Sequence, residues 1–229
     1  MYVLFAIVEN MLRPYVQVVT KETDVREVFR NNKVIQFEPI IEWGMGRIFS
    51  FSNEGVRALR YDLDGKGDTM LFNQHAFYGN ALKEGPELEQ ITLGFCRVLY
   101  KQLDRFDEQL SDGAIEVGLR DWSSAILGTA ATTALLGPAM IERICPDILT
   151  YLWQFEREYF IFVFGLPRWV IPNAHKNREK IIDAFEEYSK DPRNMEGAVP
   201  MITARDEEMR RAGMKNRDIG AANFSVISG

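Results

Sequence analysis

The most regular apolar spacing in the chain begins at Pro86, where Leu88, Ile91, Phe95, Val98, Leu99 and Leu103 recur three or four positions apart. That period puts them on one stripe of a helix, and proline suits its first turn, where a missing N–H costs nothing. "LRDWSSAILGTAATTALLGP" predicts a second helix, rich in small residues and stopped by Gly137 and Pro138. The aromatic run from Pro146 to Val170, closed by a turn at "GLP", and the segments "PNAHKNREKIIDAFEEYSKDP" and "GAVPMITARDEEMRRAGMKN" predict further helices.

Towards the N-terminus the signal changes. Two β-rich runs, Tyr2 to Val8 and Tyr15 to Thr20, flank a break containing Pro14 and suggest a hairpin. Thr20 or Thr23 is placed to cap a short helix after it. Lys33 to Asn53 shows no sustained period and reads as an apolar loop, followed by a brief helix from Glu54 to Tyr61 and another from Met70 to Leu82. The last residues, "IGAANFSVISG", read as the first turns of a buried helix rather than a frayed end. With no repeat and no flexible linker, the expected architecture is one mainly α unit over 1–229, with a small hairpin in 1–20 and helices in 21–229.

Composition narrows the function classes. The net charge of -6 and the alternation of acids with bases argue against a nucleic-acid partner, which would need clustered Lys and Arg. The first apolar run ends at Glu9 and Asn10, far short of the ~20 residues of a spanning helix, so no membrane segment is expected and a soluble chain would be cytoplasmic. Cys96 and Cys145, far apart among apolar neighbours, read as reduced thiols.

Individual motifs carry little chemistry. "DLDGKGDT" has Asp62, Asp64 and Gly67 at calcium-loop positions, but Lys66 and Asn73 stand where two further ligands are required, so a solvated turn is expected. His75 and His175 have no second ligand at metal spacing, and neither a nucleophile elbow nor a glycine-rich phosphate loop is present. Four Glu-x-x-Arg pairs, at Glu27, Glu54, Glu207 and Glu208, read as ordinary helix-face pairs.

Taken together, the segments resemble the N-terminal half of a cytochrome P-450, a haem-thiolate monooxygenase. "YVQVVTKETDVREVFRNNKVIQFEP" is similar to that family's second sheet strand and B helix, and "FSFSNEGVRAL" to the segment after its B–C loop. "LFNQHAFYGNALKEGPELEQITLGFCRVL" resembles the C and D helices, and "LRDWSSAILGTAATTALLGPAMIE" the E helix. "LPRWVIPNAHKNREKIIDAFEEY" looks like the passage into helix G, and "ITARDEEMRRAGMKNRDIGAANFSVISG" like helix H and the opening of helix I. The wording is closest to fungal members related to sterol hydroxylases and prostacyclin synthase.

The resemblance implies haem as cofactor, an apolar small-molecule substrate such as a sterol, lipid or secondary metabolite, an NADPH-linked reductase as partner, and relatives anchored to the endoplasmic reticulum. It implies a haem-edge role for His75, in place of the Trp and Arg that helix C usually offers, and a substrate-facing role for Ile48, Phe49, Phe51 and Phe224. Neither cysteine fits the family's Phe-x-x-Gly-x-x-x-Cys-x-Gly loop: Cys96 precedes Arg97 and Cys145 precedes Pro146. By that comparison the thiolate loop, the K-helix motif and the oxygen-activating part of helix I are missing, so the chain is expected to be a truncated, inactive monooxygenase with no catalytic or metal-ligating residue of its own. The alternative reading is a non-catalytic helical interaction module or an inert gene product.

Overall fold

A computed structural model describes residues 20–31, 38–110 and 113–228. The expected hairpin falls on residues 1–20, of which 1–19 lie outside the described residues. The backbone groups into two compact units, Met1–Trp43 and Gly44–Gly229, and the described residues are mostly helical.

In the first unit, α1 (Glu22–Arg30) starts after Lys21, and neither Thr20 nor Thr23 caps it. Thr23 donates its hydroxyl to Asp24 instead. Glu22 and Asp24 supply the negative charge that a helix start favours. The loop expected from Lys33 to Asn53 contains instead a helix, α2 (Glu38–Arg47), whose residues from Gly44 onward belong to the second unit. Pro39 is harmless in its first turn. The helix buries no residue fully, so it has no need of a regular apolar stripe.

The second unit carries α3 (Asn53–Ala58), α4 (Met70–Ala81), α5 (Pro86–Leu110), α6 (Leu119–Leu136), α7 (Ile148–Val163), α8 (Pro172–Lys190), α9 (Pro200–Arg211) and α10 (Asn216–Ile227). Ser52 caps α3 and Thr69 caps α4, each accepting from the N–H three residues on. Such caps satisfy donors that the helix itself leaves open. The stripe that announces α5 is only half-buried, and among the described residues it packs chiefly against a single neighbour. That neighbour is α6, which runs antiparallel to it: Gly94 lies beside Ala134, and Phe106 meets Trp122 at 5.3 Å between ring centres.

Gly137 ends α6 at φ 77°, where a side chain would collide with the Glu196 carbonyl. The carbonyls left open there find partners: Val199 donates to Leu135 at 3.0 Å and the Tyr188 hydroxyl to Leu136 at 2.7 Å. A π-turn at Met140–Ile144 leads on to α7. The centre of the unit is the crossing of α8 and α10, where Ile181, Ile182, Phe185, Tyr188, Ile219 and Phe224 are fully buried. Close approach depends on Gly220, since a Cβ there would stand 2.6 Å from the Glu186 nitrogen. The closing "IGAANF" is thus a core helix, as its composition implies.

Candidate functional site

Three of the substrate-facing candidates lie on the short segment before α3, where Ile48 and Phe51 are buried and Phe49 is half-buried. The fourth, Phe224, lies on α10 and is fully buried. The fold brings the two groups together: Phe49 meets Phe224 edge-on at 5.3 Å. Phe155 of α7 joins them, 4.7 Å from Phe224 and 6.3 Å from Phe49, and Phe185 of α8 stacks on Phe224 at 6.2 Å. Edge-to-face aromatic pairs add roughly 0.5–1.5 kcal/mol beyond the area they bury. The result is a closed aromatic wall joining the 48–51 segment to α7, α8 and α10.

Polar contacts fix the segment on both sides. After it, Ser52 donates its N–H to Asp218 Oδ1 and its hydroxyl to Oδ2, each at 2.7 Å. The same hydroxyl accepts from the Gly55 N–H at 3.0 Å. Before it, Arg178 of α8 donates from one terminal nitrogen to the carbonyls of Arg47 and Ile48, at 3.0 and 3.2 Å. Its guanidinium lies 4.6 Å from the centre of the Phe162 ring, and burial draws its pKa down. Between the two, Ser50 has φ 62°, a left-handed conformation that residues with a side chain seldom adopt.

A second polar cluster joins α4 to α9. Glu208 accepts from Asn73 at 2.9 Å and from Gln74 at 2.7 Å, while Arg205 donates to the Gln74 carbonyl and covers the Tyr78 ring at 5.1 Å. Burial lowers the pKa of Arg205 and raises that of Tyr78. Both ends of the Gln74 amide are therefore engaged inside the protein. His75 follows on the same helix. Asp206, on α9, has its pKa raised by burial and is bound by Arg210 at 2.6 Å.

Among the described residues, neither cysteine fits the thiolate ligand of a haem iron. Cys145 follows the π-turn and burial pushes its thiol up, away from the thiolate a metal requires. Cys96 sits half-buried in α5, and among the described residues no group of three or more His, Cys, Asp or Glu is gathered for a metal. The Asp62 loop is likewise spoken for: its carboxylate accepts from the N–H groups of Lys66 and Gly67 at 3.1 and 2.8 Å, and Asp64 pairs with Arg211. The Glu-x-x-Arg spacing also misleads, since Glu54 turns to Lys215, Arg210 to Asp206 and Arg211 to Asp64. Arg178 and Asp218, which fix the wall, carry no sequence signal, because their partners are more than a hundred positions away.

The chain is 23% identical over 177 residues to a cytochrome P-450 monooxygenase of Penicillium decumbens, an alignment covering 72% of this chain and 32% of the relative. It supports a distant relationship to the haem monooxygenases, and the aligned part spans about a third of that relative's length. No family model and no solved structure matches the chain. Among the described residues no helix is long and apolar enough to cross a membrane.

Proposed function

We propose that these residues form the substrate-side portion of a P-450-type haem monooxygenase acting on an apolar small molecule, a sterol, lipid or secondary metabolite. The observation that carries the reading is the 177-residue alignment to a monooxygenase of that family. Ile48, Phe49, Phe51 and Phe224 would then form an apolar wall towards the substrate, with Phe155 as a fifth member, and such linings are mostly apolar and aromatic. His75, on α4, would reach the haem edge, since imidazole can donate to a carboxylate. Electrons would come from an NADPH-linked reductase, and the iron ligand from sequence outside these residues. On this reading the 229 residues would carry no oxygen chemistry by themselves.

A helical module complete in itself is the competing reading, and the closed packing of Phe155 and Phe224 favours it. Against it stand large apolar side chains facing solvent, among them Phe160, Leu119 and Trp169, the last 83% exposed. A hydrophobic dye titrated onto the chain, alongside a thermal melt, separates the two. The monooxygenase reading predicts a cooperative melt with strong dye fluorescence already in the native state. A cooperative melt with a dark dye would favour the module.

A further inference from the structure

The contacts around Arg178 point to a device that the wall alone does not explain. Its second terminal nitrogen lies 3.2 Å from His175 Nδ1, one turn earlier on α8, and His175 Nε2 lies 3.2 Å from the Leu166 carbonyl in the turn that closes α7. The partners decide the tautomer. A carbonyl can only accept, so Nε2 carries the hydrogen, and a guanidinium can only donate, so Nδ1 must offer its lone pair. A neutral His175 thereby links three pieces: the turn after α7, the first turns of α8, and, through Arg178, the carbonyls that open the 48–51 segment.

We propose that Arg178 is the positioning residue of that segment and that His175 makes its grip proton-sensitive. The claim deepens the substrate-wall reading, because Ile48, Phe49 and Phe51 are the residues held. When the imidazole takes a second proton, Nδ1–H replaces the lone pair, and two donors and two positive charges face each other at 3.2 Å. Among the described residues, Arg47 lies over Gly165 at the turn, Arg168 and Arg217 also repel Arg178, and the carboxylate paired with Arg178, Glu179 at 3.7 Å, is shared with Arg217. Arg178 must then withdraw from His175 and lose its geometry on the Arg47 and Ile48 carbonyls. The segment it releases contains the left-handed Ser50, a conformation that persists only while its surroundings hold it.

Amide hydrogen exchange on the whole chain, corrected for the intrinsic pH dependence of exchange, tests this, with the protonation of His175 followed by its own NMR resonance. The amides of Ile48, Phe49 and Phe51, which donate to Gly44 and Met45, should lose protection by about tenfold as His175 protonates, the effect of losing one charge-assisted hydrogen bond. Amides of α5 and α6 should not follow. His175→Gln can still accept from Arg178 and donate to Leu166 but cannot take a proton, so it should keep the neutral-pH protection and lose the pH response. Arg178→Met should leave the segment unprotected at every pH; if that variant does not fold, His175→Gln still decides. Protection of 48–51 that is unchanged while His175 titrates, or that falls equally in His175→Gln, would overturn the proposal. The readout needs no haem, so a chain that proves not to be part of a monooxygenase can still show the latch, and a failed latch leaves that reading standing.

Discussion

Asp218 accepts both polar hydrogens of Ser52 from the start of α10, and a Cβ on Gly55 would stand 2.6 Å from its carboxyl carbon. The carboxylate is buried, so removing it strips two part-buried donors of their acceptor. Asp218→Ala should therefore cost about 1.5–3 kcal/mol of unfolding free energy in urea titration, the range for charge-assisted bonds. Ser52→Ala should also destabilise, since it removes the α3 cap together with one of the two bonds. A cost for Asp218→Ala within the few tenths of a kcal/mol expected of a surface change would contradict this assignment. None of this could be read from residue order. Asp218 sits in a charged turn that looks solvated, and only the fold brings Ser52 to it across 166 positions.

At the scale of elements, what could be read from the sequence divides along physical lines. Stops and starts with a local cause were legible: Gly137 does take positive φ at the end of α6, and Pro86, Pro172 and Pro200 open α5, α8 and α9. What depends on a distant partner was not. α2 hid in an aperiodic stretch because it buries no residue fully, and the expected cap of α1 failed because Thr23 bonds its neighbour rather than a helix N–H. Glycines make the contrast measurable. Gly79 lies in α4 with open space where a side chain would go, so Gly79→Ala should stabilise by about 0.5–1 kcal/mol through backbone entropy. Gly220 has the same helical setting but abuts the α8 backbone, so Gly220→Ala should destabilise by about 1–3 kcal/mol as the helices are forced apart. Paired denaturation curves check both signs. A gain at Gly220 would mean that α8 and α10 do not cross as closely as described.

Across the whole molecule, the mainly α reading holds for the described residues, and the distant relationship to the haem monooxygenases agrees with the family to which the segments' order pointed. The candidate site was legible only in part. Of Ile48, Phe49, Phe51 and Phe224, singled out as one apolar lining, Phe49 and Phe224 meet in the aromatic wall; apolar lining and apolar core look alike in a sequence, so the role of all four stays a proposal. Arg178 and Asp218, which hold the segment, act on carbonyls and a serine more than a hundred positions away and left no motif. Chemistry sets the sharpest constraint. A haem-thiolate centre needs a cysteine thiolate on iron, and here one cysteine is a thiol raised by burial and the other lies in the middle of α5. The most direct measurement is the carbon monoxide difference spectrum of the reduced chain reconstituted with haem. No thiolate-type Soret band is expected, because the proposed reading gives these residues only a substrate-side wall and neither cysteine is placed as a thiolate; a clear thiolate-type band would overturn that reading.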